Sequence, residues 1–252
     1  MDFSDPAQRA AFFAVHNGMP REGPGDRASV ERALQLAGPL PARPDVLDLA
    51  CGPGGQTLDL AHLLPEARIT ALDAYEPFLR QLETGARTAG VLDRIAITHG
   101  DMSSLPYAPE SFDLIWCEGA AYIIGFETAL AAWKPLLRRG GVLALTEPVW
   151  FKPDPPAGVR ACWEEYPAIE DVPSARRRAL AYGYDIAGDF VLSDAAWWTN
   201  YYGPLETRLE AAAARLAGVP GAAPVLAEIR DEIECRRAHP EYYGYLFLVL
   251  RA

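Results

Sequence analysis

The chain has 252 residues, half of them hydrophobic, and a formal charge of −11. That length and balance support one large α/β domain with a substantial core and exclude a globally disordered chain. A net negative surface gains no general attraction to phosphate backbones or anionic membranes, so neither nucleic acid nor a membrane is expected as a partner. No charged start followed by an apolar stretch suggests a signal peptide, and no apolar run reaches membrane-spanning length. Cys51, Cys117, Cys162 and Cys235 show no Cys-x-x-Cys pairing and no metal-ligand spacing. No metal is expected, and a reducing, cytoplasmic setting fits.

Taken in order, residues 3–16 predict an amphipathic helix with Ser4 as its N-cap. The Gly- and Pro-rich segment Asn17–Asp26 reads either as a connector or as a flap over a ligand. A second helix over Ala28–Ala37 is broken by Gly38-Pro39. Strands are then predicted at Val46–Leu49, Arg68–Leu72, Ile95–Thr98, Phe112–Trp116 and Val142–Thr146. Helices over Gln56–Leu64, Pro77–Ala89 and Gly125–Leu137 alternate with them. Five apolar strands separated by helices imply a mainly parallel, doubly wound sheet. Beyond Pro148 the chain is rich in aromatics, with helical pieces near 158–166 and 173–183. A strand at Phe190–Leu192, helices over 203–216 and 222–237, and a β-prone run at Tyr242–Leu250 complete the reading.

The chemistry concentrates where the first strand ends, in Asp48-Leu49-Ala50-Cys51-Gly52-Pro53-Gly54-Gly55-Gln56-Thr57. Glycines allow a sharp turn and close approach to a ligand, and the helix that follows opens with unpaired N–H donors. Asp73 ends the second strand about 20 residues further on, where a carboxylate can grip a ribose. A dinucleotide fingerprint would need a third glycine, and a P-loop would need a Gly-Lys pair; both are missing here. Asp48 could instead face a cationic ligand amine at the strand's carboxyl edge.

These residues resemble the first motif of class I S-adenosylmethionine-dependent methyltransferases. Asp73 matches that family's ribose-binding acid, and Gly100-Asp101-Met102 the motif that contacts adenine. Ser111–Trp116 and Leu136–Leu143 match its fourth-strand motif and the turn before strand five. Ala50 stands where many members carry Gly. The Gly23-Pro24-Gly25 loop, Trp116-Cys117-Glu118-Gly119-Ala120 and the Tyr242-Tyr243-Gly244 ending further resemble a narrower bacterial group of small-molecule methyltransferases.

The resemblance implies a Rossmann-like seven-stranded α/β sheet, mostly parallel, with an antiparallel last strand in a hairpin with the sixth and helices on both faces. It implies a helical cap over residues 1–44, a cofactor-binding core over 45–148, a substrate lid over 149–188 and a C-terminal completion of the sheet over 189–252. The implied cofactor is S-adenosylmethionine, leaving S-adenosylhomocysteine as product. Its binding residues would be Asp48, Gly52, Gly54, Gln56, Asp73, Asp101 and Met102.

On the acceptor side, Glu118 follows the fourth strand and is a candidate base or substrate ligand, with His16 a second candidate base. Tyr122, Glu147 and Trp150, at the start of the lid, are candidate pocket residues. Acidic groups with aromatic walls would suit an apolar, aromatic or amine acceptor, the last through cation–π contacts. The expectation is methyl transfer to N, O or S (less readily C) of a small molecule by a monomer or homodimer. The alternatives are an NAD-dependent oxidoreductase and a catalytically inactive relative that holds the cofactor for a partner protein. A nucleic-acid or protein methyltransferase ranks third, against the acidic balance.

Overall fold

Short apolar strands ending in glycine- or acid-bearing turns build a single mixed sheet in the computed structural model, which describes residues 3–252. Two helices come first, Pro6–His16 (α1) and Arg27–Ala37 (α2). Asp45–Leu49 (β1), Gly55–Leu63 (α3), Arg68–Asp73 (β2), Glu76–Thr88 (α4) and Ile95–His99 (β3) follow. Next come Phe112–Cys117 (β4), Ala121–Ile124 (α5), Phe126–Trp133 (α6) and the long Leu137–Trp150 (β5). Ala157–Ala161 (α7), Glu170–Asp171 (β6) and Val172–Ala181 (α8) lead to Asp185–Val191 (β7). Asp194–Trp197 (α9), a π-helical turn at Trp198–Tyr202, Gly203–Arg215 (α10), Ala222–Ala238 (α11) and Tyr243–Arg251 (β8) close the chain.

The sheet order is β3-β2-β1-β4-β5-β8-β7, with β6 added beside β5. Strands β1 to β5 run parallel, and β8 runs antiparallel to both of its neighbours. One face buries Val46, Leu114, Val142 and Ala144; the other buries Leu47, Leu49, Ile115, Leu143 and Leu145. This is period-two burial on both sides, as a sheet covered by helices demands. The chain winds outward from β1 to β3 and then returns to β4 on the other side of β1. That reversal makes the carboxyl ends of β1 and β4 the topological switch point, the usual place for a ligand in such sheets.

Several expectations change. Asp5, not Ser4, caps α1, its side chain accepting from the Ala7 N–H at 2.8 Å. The fifth strand runs well beyond 142–146 in both directions. Gly140-Gly141 lies inside it, near a register shift between Phe112 and Leu114 of β4. Trp150 therefore ends β5, paired with Tyr243, instead of starting the lid. The helix expected over 158–166 shortens to α7. The strand expected at 190–192 begins at Asp185. Gly188 hid it, and is required because a Cβ there would sit 2.7 Å from Leu36 of α2. The short β6 makes eight strands where seven were expected. Strands β7 and β8 pair antiparallel as expected but form no hairpin, since residues 192–242 fold into helices between them.

Cys162 and Cys235 are joined by a disulfide across 73 residues, a bridge that their spacing gave no sign of. It ties the end of α7 to α11. Cys51 and Cys117 stay free and buried. No helix among the described residues is long and apolar enough to cross a membrane.

Candidate functional site

The turn after β1 is held by its own neighbours. Ala50, Gly52 and Gly54 all have positive φ, and Gly54 caps α3 in the left-handed region. A Cβ on Gly54 would lie 2.3 Å from Leu82 of α4, so only glycine fits. Gly52 differs: a Cβ there would meet nothing nearer than Glu22 at 3.5 Å. Asp73, at the end of β2, accepts from the N–H of Gly52 through Oδ2 and of Tyr75 through Oδ1, each at 2.8 Å. Partial burial pushes its carboxyl up despite these bonds. Asp73 thus clasps the glycine turn and keeps unused lone pairs at the switch point.

Asp48 lies one layer deeper. It is fully buried, with Thr57 donating to Oδ2 at 2.5 Å and Gln56 to Oδ1 at 3.4 Å. Gln56 also donates to the Cys51 carbonyl at 3.1 Å. Desolvation pushes the Asp48 carboxyl up to about 7. Both residues knit β1 to the first turn of α3. Past β3, Asp101 is exposed and accepts from the Ser103 N–H at 2.8 Å, which pulls its carboxyl down. Met102 is buried beside it, its carbonyl accepting from the Trp133 indole at 3.2 Å.

The Asn17–Asp26 segment crosses the glycine turn, with Glu22 beside Gly52 and Arg21 beside Gly55. Gln81 of α4 ties both ends of Gly18-Met19, and the Gly25 N–H donates to the Ala196 carbonyl at 3.0 Å. Arg21, buried at 5 % exposure, crosses over Gly55 and donates to Asp59 at 2.7 Å and to Glu118 at 3.0 Å. The Trp116 indole N–H donates to the other Glu118 oxygen at 2.8 Å. Glu118 therefore has a partner on each oxygen, although desolvation raises its carboxyl.

Beside Arg21, the Oε2 of Glu22 lies 2.6 Å from Nδ1 of His16, while Glu22 Oε1 and His16 Nε2 are buried without partners. Burial raises the Glu22 carboxyl. His16 is stacked under Phe12 and almost fully buried. An acid on one ring nitrogen and nothing on the other is the arrangement of an oriented base.

The candidate pocket residues separate. Tyr122 of α5 has its ring 5.4 Å from Tyr166 and 6.5 Å from Tyr245, and desolvation pushes its hydroxyl up to about 12. Glu147 pairs in register with Leu246 and so shares the sheet face of Leu145 and Val149, opposite to Tyr245. Tyr166, between α7 and β6, donates to its Oε1 at 2.6 Å; Oε2 is buried and unpartnered, and desolvation pushes the carboxyl up to about 8. Trp150 packs edge-on against Tyr243 at 6.4 Å. Sequence reasoning missed Arg21, Glu22, Tyr166 and Glu232. Glu232 alone carried a signal, a carboxylate in the apolar stripe of a helix.

Residues 46–141 match the family described as a methyltransferase domain. Among curated proteins, the chain is 28% identical over 177 residues to a trans-aconitate 2-methyltransferase of Paracidovorax citrulli, covering 66% of this chain and 65% of that protein. It is 34% identical over 124 residues to a malonyl-[acyl-carrier protein] O-methyltransferase of Dechloromonas aromatica, covering 48% and 44%. The chain spans less than two thirds of the length of either relative. Its fold is similar to that of a SAM-dependent methyltransferase from Geobacter sulfurreducens solved with S-adenosyl-L-homocysteine, with a TM-score of 0.82 and 22% identity over 96% of this chain and 97% of that one.

Proposed function

We propose that this chain is a class I S-adenosylmethionine-dependent methyltransferase that transfers a methyl group to a small molecule by in-line displacement, a reading supported by the match of residues 46–141 to a methyltransferase-domain family. The observation that carries the reading is the clasp of Asp73 on the Gly52 N–H at the sheet's switch point.

The residues fit that donor. Glu22 Oε1 is a buried acceptor lacking a donor, beside Gly52 and electrostatically coupled to Asp73. Hydroxyls or an ammonium of the ligand would satisfy it. Asp73 would take the ribose hydroxyls, Asp101 and Met102 the adenine, and the turn at Gly52 and Gly54 the methionine arm. Asp48 and Gln56 would act through the shape of that turn, since their polar groups already serve it.

The donor's sulfonium makes its methyl carbon electrophilic, so no acid is needed to activate it. What the protein must supply is alignment, a dry site and a proton acceptor. We assign the last role to His16: Glu22 holds the Nδ1 proton, which leaves the Nε2 lone pair free. Glu118 would fix the flap through Arg21 and is a positioning residue in this reading. Labelled methyl transfer from S-adenosylmethionine into extracts of the source organism, with identification of the product, tests the proposal. A labelled small molecule is the expected outcome. Label confined to protein or nucleic acid would contradict it.

A further inference from the structure

Helix α11 buries a stripe in which Val225, Ile229 and Arg236 recur at helical spacing, and Glu232 occupies the same stripe. Glu232 is exposed, yet the protein around it is dense enough for desolvation to push its carboxyl up. An accessible carboxylate so densely surrounded lies in a cavity rather than on a convex face.

The walls of that cavity come from five separate parts of the chain. The π-helical turn directs Tyr202 and Tyr201 hydroxyls onto Glu232 Oε1, at 3.0 and 3.4 Å. Such turns inside helices recur at functional sites. Oε2 receives no hydrogen bond from the described residues. Tyr245 of β8 and Tyr122 of α5 stand close enough to couple electrostatically to Tyr201 or Glu232. His16 of α1 also couples to Glu232, with its Nε2 unpartnered at 2 % exposure. Tyr201 couples in turn to Glu22, which lies over Gly52, so these groups adjoin the proposed donor site.

No fixed cation answers Glu232. Arg236 is turned to Asp194 and the Tyr243 carbonyl, over the Trp197 ring. Arg208 is held by the Val15 and Asn17 carbonyls. Glu228 and Glu22 add further negative charge.

We infer that this cavity is the methyl-acceptor pocket and that the acceptor is an amine, entering as an ammonium with an N–H on Glu232 Oε2 and its carbon substituents against Tyr122, Tyr201 and Tyr245. Tyrosine faces favour a cation, and a carboxylate with one open oxygen supplies the directional bond. The ammonium proton passes to His16 Nε2. The nitrogen lone pair then attacks the methyl carbon, an N–C bond forms, and the broken C–S bond leaves its electron pair on sulfur. The inference rests on the donor reading above, but its test is separate.

Calorimetry on the full chain, with and without saturating S-adenosylhomocysteine, compares benzylammonium with benzyl alcohol and cyclohexylammonium with cyclohexanol. The ammonium of at least one pair is expected to bind about tenfold or more tighter than its alcohol, the size of a charged hydrogen bond. Glu232→Gln is expected to remove that preference while S-adenosylhomocysteine binding and melting temperature stay unchanged, and Glu232→Asp to restore part of it. Equal binding of the alcohols overturns the inference. So does a preference that survives Glu232→Gln, or no ammonium binding by protein that binds S-adenosylhomocysteine. Failure to bind S-adenosylhomocysteine, with ammonium binding intact, would sink the donor reading instead.

Discussion

The two halves of the site are built by different means. The proposed donor edge is backbone chemistry: a glycine turn, a helix start and one carboxylate, all within 21 residues from Gly52 to Asp73. The proposed acceptor side is side-chain chemistry, with His16, Glu22, Tyr122, Tyr201, Glu232 and Tyr245 drawn from the length of the chain. The first is rigid because local sterics leave it no choice. The second depends on a flap, a lid and two helices docking correctly, so its residues can change without disturbing the turn.

That contrast is most easily broken at Gly54. Adding a Cβ would force it into Leu82 and into a left-handed backbone. Gly54→Ala should lose about 3 kcal/mol or more of stability by urea unfolding, the sum of overpacking and strain. A loss below about 1 kcal/mol would mean that the turn is not sterically fixed. Next in size is Asp73→Asn, which keeps an acceptor for Gly52 but removes the charge. Affinity for S-adenosylhomocysteine should fall by about 10- to 100-fold, as expected for losing charged hydrogen bonds, with little change in melting. Unchanged affinity would remove Asp73 from the donor site.

Glu147 gives a pH signature on the lid side. Its carboxyl is raised from 4.5 to about 8 in the folded chain. The folded state therefore holds a proton that the unfolded state releases across that window, and stability falls as pH rises through it. Glu147→Gln removes the penalty and should stabilise the protein at pH 8 by about 1–4 kcal/mol, with no gain at pH 4. Parallel stability curves for the two proteins would contradict this. The smallest effect is expected at Ala50, whose φ is 52°. Ala50→Gly relieves left-handed strain but adds unfolded-state entropy, so a gain of about 0–1 kcal/mol is expected by thermal unfolding.

The same contrast explains what could be read in advance. Strands β1 to β4 were legible within a residue or two because each is a compact apolar run bounded by turn residues. Asp73 and the glycines were legible as a turn because they cluster at strand ends, and the Gly52 N–H bond to Asp73 joins them there. Strand β7 was obscured because Gly188 and its polar neighbours break the period-two signal, and its reason is the close approach of Leu36, a contact no local pattern encodes. Glu22 stood unremarked in a Gly- and Pro-rich segment, and only that segment's path over Gly52 brings it to His16. The bridge from Cys162 to Cys235 depends on α7 lying over α11, which spacing cannot reveal.

The central claim is that the glycine turn and Asp73 hold S-adenosylmethionine. Its most direct test is calorimetric titration of the full chain with S-adenosylhomocysteine and, separately, with NADH. The account predicts saturable, one-to-one binding of S-adenosylhomocysteine that Asp73→Asn weakens, and none of NADH. Saturable binding of NADH without binding of S-adenosylhomocysteine would contradict it.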